Sequence, residues 1–114
     1  MIYARCIYDN RSRVAKLTLR GHADAAPKGE DLVCAGASAL ALTAARAVRY
    51  LYRRRLLCRT PRIQLVPGDA AVVATARPGC EAEVLMCFWT IQAGLSALAE
   101  QYPECITLEE VLRV

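Results

Sequence analysis

The stretch PRIQLVPGDAAVVATARPG, residues 61–79, decides the fold of this 114-residue chain. Pro61 has no amide hydrogen to donate, so it blocks any helix arriving from the preceding residues. Ile63, Leu65 and Val66 begin a strand, and Ala70 to Ala76 return as its pair. Between them, Val66-Pro67-Gly68-Asp69 carries the chemistry of a type II turn. Proline sets the first central φ, and glycine accepts the positive φ at the second. Pro78-Gly79 then breaks the second strand.

Helical patterns flank this hairpin. After it, Val84, Phe88, Ile91, Leu95 and Leu98 recur at steps of four and three, which predicts a helix over 81–101 with a core-facing stripe. Before it, a helix is expected from Leu32 to about Arg55, with Asp31 as its N-cap. The first half of that helix is small and apolar nearly all round, which predicts burial with close neighbours. The N-terminus reads as another hairpin: residues 2–8, turn chemistry at Asp9-Asn10-Arg11-Ser12, then a strand from Arg13 to Arg20. Residues 21–30 lose all periodicity and form an irregular loop, long enough to be a candidate functional loop. A last helical turn is expected near the C-terminus, with Thr107 as cap and Glu110 reaching back. The order strand-strand-helix-strand-strand-helix predicts one domain, 1–114. It is a two-layer α+β fold with one sheet packed against two helices.

Composition narrows the function classes. The chain is 55% hydrophobic and 23% charged with net charge +4, too mixed for a disordered tail and too weak alone to indicate nucleic-acid binding. It holds six cysteines and a single histidine, and no Cys-x-x-Cys. Structural zinc draws on close-spaced Cys or His pairs, so no metal site is expected, and no cofactor. Residues 1–6 lack the pattern of a secretory signal, which predicts a cytoplasmic protein with reduced thiols packed mainly as small hydrophobes. Leu32 to Ala45, the longest uncharged apolar run, falls short of the roughly 20 residues that span a bilayer, so no membrane partner is expected.

Cys34 stands apart from the other thiols. With Asp31 as cap it is the third helical residue, where free amides and the helix dipole favour a thiolate. His22 follows a strand at the mouth of the loop leading to that helix, so strand end and helix start can meet in space. A thiol and an imidazole so placed meet the minimum for thiolate catalysis, a nucleophile with an acid/base partner. Ser38 is one helical turn after Cys34 on the same face. The competing reading is a packing cysteine in an Ala-rich helix and a solvated loop histidine.

Gly21-His22-Ala23, the loop with Gly29, and Asp31-Leu32-Val33-Cys34-Ala35-Gly36-Ala37-Ser38 together resemble the signature of the bacterial ribosomal-processing cysteine proteases, the Prp family. Loop length, cap and helix start agree at once, and the likeness extends to Gly94-Leu95 and Glu100-Gln101-Tyr102-Pro103. The resemblance implies a homodimeric α+β cysteine endopeptidase. Its substrate would be a large-subunit ribosomal protein precursor, from which it removes a hydrophobic N-terminal extension through an acyl-enzyme. Carried over by position, Cys34 is the nucleophile and His22 the base and later acid. Asp31, Ser38, Gly21 and Gly29 occupy supporting motif positions. The loop departs from the family as Ala25-Ala26-Pro27-Lys28, where Pro27 restricts the backbone.

Charge is polarised along the chain. Residues 46–62 hold seven arginines, including Arg46, Arg49, Arg53, Arg54 and Arg55, and no acid, whereas residues 80–114 hold six acids and one arginine. The cluster is read as a solvated helix face, or as a weak ribosome or RNA contact through phosphate. The latter carries the alternative function, a non-catalytic ribosome-associated RNA-binding module. A redox sensor at Cys34 is a third option, but no resolving cysteine is near it in sequence. Leu85, Met86 and Trp89 form a second apolar face on the later helix, read as a homodimer surface, with core packing as the rival reading.

Overall fold

The computed structural model describes residues 1–22 and 30–114, with the backbone alone for Glu30 and Asp31. Two strands, β1 (Ile2–Asp9) and β2 (Val14–Arg20), open the chain as the expected hairpin. The Asp9 carboxylate accepts the amides of Arg11 and Ser12 at 3.0 and 3.3 Å, which closes the turn. Helix α1 (Glu30–Arg53) follows, then β3 (Arg62–Val66) and β4 (Asp69–Thr75), helix α2 (Glu81–Gln101), and β5 (Ile106–Arg113).

The five strands form one sheet in the order β3-β4-β2-β1-β5. All neighbours are antiparallel except β1 and β5, which run parallel from Ile2↔Ile106 to Asp9↔Arg113. The C-terminal helical turn expected at Thr107 is therefore a strand. Thr107 and Glu110 do match a capping box. However, Ile106, Leu108 and Val111 pair with the backbone of β1, and Ile106 is buried. Local capping chemistry lost to a long-range ladder that a one-dimensional pattern does not show.

One face of the sheet carries both helices. Ala4, Cys6 and Tyr8 from β1, Ala15, Leu17 and Leu19 from β2, and Val72 and Ala74 from β4 point into this layer. Against them α2 sets Val84, Phe88, Ile91 and Leu95, the stripe expected from its periodicity. Helix α1 contributes Val33, Ala37, Ala41, Ala44, Ala45, Val48 and Leu51. Its first half is not buried all round, as its composition led us to expect: Leu32, Ala35, Ala39 and Leu42 are exposed. One sheet covers only one side of a helix, and α2 covers a second.

Both helices are long and apolar enough to span a membrane by length and composition, with windows of mean hydropathy 1.3 and 1.4. The reading from Leu32 to Ala45 alone understated this. In the fold each helix lays a buried stripe on the sheet, and the exposed arginines Arg46, Arg49 and Arg53 interrupt α1.

Helix α1 ends in a Schellman motif. The Arg55 amide donates to the Tyr52 carbonyl and the Leu56 amide to the Leu51 carbonyl, each at 3.0 Å, while Arg55 takes φ +62°. At the head of α2, Cys80 makes no side-chain cap bond. Glu81 serves that end instead. Backbone hydrogen bonds at its own amide and then at Gly79 hold its carboxyl below the usual range.

Candidate functional site

The site is built where β2 ends. Pairing of β2 with β4 sets Arg20 opposite Asp69, so the residues after Arg20 run beside the β3–β4 turn. That turn, Val66 to Asp69, is the one expected from sequence, with Gly68 at φ +74°. The Gly21 amide donates to the Gly68 carbonyl at 3.0 Å, and the Met1 amino nitrogen donates to the His22 carbonyl at 3.0 Å. Gly21 adopts φ +106°, and a Cβ there would collide with the Met1 carbonyl oxygen. The backbone on both sides of His22 is thus held by strand ends rather than left as free loop.

Helix α1 crosses above this point and supplies the opposite wall. Val33 and Ala37 face the core, and their neighbours Cys34 and Ser38 face the opening. The result is a cleft of about 380 Å³ in which His22, Cys34, Ser38 and Gly21 meet. Its remaining described wall is mainly apolar, made by Ile2, Leu19, Ala37, Ala41, Leu65, Val66, Pro67, Gly68 and Ala70, with Asp69 as its one carboxylate. Cys34 is half-buried, whereas His22 and Ser38 are exposed. A partly shielded thiol and an accessible imidazole lining one cleft can supply nucleophile and proton carrier to a chain lying in it. The apolar wall suits aliphatic side chains.

Two sequence expectations change. The helix begins at Glu30, so Asp31 is its second residue rather than its cap, and Cys34 is the fifth rather than the third. An acid is at home in the first helical turn as well as at the cap, which is why composition could not separate the two positions. The free amides of that turn precede Cys34. Gly29, Pro27 and the rest of 23–29 lie outside the described residues, as does the Asp31 side chain.

Sequence reading missed the contribution of Leu65, Val66, Pro67 and Gly68. Their turn chemistry was legible, but nothing local indicates that the turn faces His22. That proximity follows only from the β2–β4 register.

The other chemistry-bearing groups lie elsewhere. All six cysteines are free thiols: Cys6 is buried, Cys58 exposed, and the other four half-buried. Cys58 is the one surface thiol, and the other five are packed at least in part. Burial, and after it the nearby Glu110, push the Cys6 thiol up to about 11, and burial also raises Cys87. Among the described residues no group of His, Cys, Asp and Glu is placed to hold a metal ion. Arg46, Arg49, Arg53, Arg54 and Arg55 are exposed and none lines the cleft. Tyr50 and Tyr52 stand within this run, and the Arg54 guanidinium lies 5.4 Å from the Tyr50 ring centroid.

The fold is similar to that of an essential ribosomal processing protease Prp from S. aureus crystallised with a substrate peptide. The two share 24% identity with a TM-score of 0.69, covering 96% of this chain and 99% of that one. A second S. aureus Prp structure, with a covalently linked product peptide, is 25% identical with a TM-score of 0.67 over the same shares of each chain. SMU.848 from Streptococcus mutans is 23% identical with a TM-score of 0.72, covering 99% of this chain and 96% of that one. No curated protein matches the sequence. A family model described as cysteine protease Prp matches residues 1–107. With that match over most of its length, and a thiol and an imidazole on one cleft, the chain belongs to the cysteine protease Prp family.

Proposed function

We propose that this enzyme removes the apolar N-terminal extension of a large-subunit ribosomal protein precursor, with Cys34 and His22 as its dyad. The observation that carries this is the presence of His22 and Cys34 on one mainly apolar cleft in a chain of this family. His22 takes the Sγ proton as the sulfur attacks the scissile carbonyl carbon. Donors near the head of α1 meet the oxyanion. The imidazolium then gives its proton to the leaving amine, and the C–N bond breaks to leave a thioester on Cys34. Water, deprotonated by His22, attacks that thioester, releasing the carboxylate and restoring the thiol. Gly21 shapes the chain next to His22 and Ser38 lies beside the bound chain, while Gly29 and Asp31 hold supporting positions of the motif. The reaction takes place in the cytoplasm, where the thiols stay reduced.

The test is incubation with a peptide spanning the precursor's cleavage site. Native protein is expected to cleave it, Cys34→Ala to leave it intact, and Cys34→Ser to bind it without turnover. Cleavage by Cys34→Ala at the native rate refutes the assignment.

The active form is proposed to be a homodimer joined through α2. Met86 and Trp89 are 59% and 46% exposed, and Met86 borders an open apolar recess of about 520 Å³ with Leu51, Leu56 and Ala82. Trp89→Glu is expected to sediment as a monomer at concentrations where the native protein is dimeric.

A weak RNA contact is a second reading of the basic end. Arg49 and Arg53 line a recess of about 420 Å³ with Tyr52 and Thr60, with no acid among its described lining residues. Binding to ribosomal RNA that falls steeply with added salt, and is lost in Arg49→Gln/Arg53→Gln, supports it. Absence of binding at low salt removes it.

A further inference from the structure

We propose that Gly68 is a positioning residue for His22, and that the β3–β4 turn is the platform on which the imidazole ring is seated in the cleft. The proposal rests on the reading of His22 as acid/base partner of Cys34. A Cβ placed on Gly68 would overlap the His22 Nε2 and Cε1 atoms and stand 2.9 Å from Cδ2. The ring thus occupies a volume that only glycine leaves open. The same residue carries φ +74° and accepts the Gly21 amide at 3.0 Å, so platform and histidine backbone are parts of one hydrogen-bonded unit. The Met1 bond to the His22 carbonyl holds the next peptide.

The group that a Cβ at position 68 meets is the outer edge of a side chain, not backbone. The ring moves and the turn stays. Substitution here therefore reaches catalysis through His22 more than it reaches the fold. Gly79 provides the matched control: it has φ +89°, and a Cβ there meets nothing within 4 Å. Both Gly68→Ala and Gly79→Ala force an L-residue into left-handed backbone, but only one displaces the imidazole.

The experiment compares native protein, Gly68→Ala, Gly79→Ala and His22→Ala. It measures kcat and KM on the precursor peptide, the pH profile of Cys34 alkylation by iodoacetamide resolved by peptide mass spectrometry, and Tm. Gly68→Ala is expected to lose kcat by about 100-fold, the scale of an ångström-level misplacement, with KM little changed. Its alkylation profile should match that of His22→Ala. Gly79→Ala should keep native kcat and profile while its Tm falls about as far as that of Gly68→Ala.

Native kcat and profile in Gly68→Ala, with His22→Ala inactive, overturn the positioning role and leave the dyad standing. A Tm loss in Gly68→Ala well beyond that of Gly79→Ala, with kcat regained on cooling, also overturns it by assigning the defect to the fold. Native cleavage by His22→Ala instead removes the dyad, and the positioning role with it.

Discussion

Cys6 and Cys34 show how one residue type takes opposite characters from its surroundings. Cys34 opens onto the cleft from a helix face, and its spacing from the only histidine was readable without coordinates. Cys6 lies on the helix-facing side of β1, 1% exposed, with Tyr8 and Glu110 as neighbours. Its thiol is raised from 9.0 to about 11, so between those values the unfolded chain releases a proton that the folded one keeps. That stabilisation is fully present below pH 9.0 and is lost as pH climbs toward about 11. Tyr8, also raised by burial, extends the loss further. Urea midpoints measured across this range should fall more gently in Cys6→Ala than in the native protein, whatever their starting values. Equal slopes would exclude Cys6 as the source.

At the level of elements, the helices and hairpins were largely legible and the C-terminus was not. The stripe from Val84 to Leu95 located α2, and Pro67-Gly68 located the turn, because each signal depends on near neighbours in sequence. β5 depends on β1, roughly a hundred residues earlier, and its Thr107 and Glu110 imitate a helix cap. Two substitutions separate strand from helix there. Thr107→Ala is expected to change stability by less than about 0.5 kcal/mol, since Thr107 is exposed on a strand. A lost N-cap would cost about 1 kcal/mol. Ile106→Ala should cost about 2–5 kcal/mol, because Ile106 is fully enclosed in the core. Arg55 offers a gain. It ends α1 in left-handed backbone at φ +62°, where glycine is the favoured residue. Arg55→Gly should raise the unfolding free energy by up to about 1 kcal/mol in denaturant titrations, leaving cleavage unaffected.

In the whole molecule, the sheet order β3-β4-β2-β1-β5 brings the end of β2, the β3–β4 turn and the N-terminus to one corner beneath α1. That corner is the cleft. Loosening its backbone is therefore expected to act on the site: Gly21→Ala forces Met1 aside, and should lower both kcat and Tm because the Met1 bond to His22 is lost with it. A Gly21→Ala enzyme with native kcat would show the corner to be looser than its hydrogen bonds imply. The sequence by itself determined the mixed fold class, the helix stripe, the turn type and the Cys34–His22 motif, because these follow from periodicity, backbone allowances and spacing within short windows. Only the tertiary structure decided the fifth strand, the exposed flank of α1 and the role of Gly68 beneath His22. Each of those depends on strand register between distant segments, which sets what lies against what and leaves no local trace in the chain.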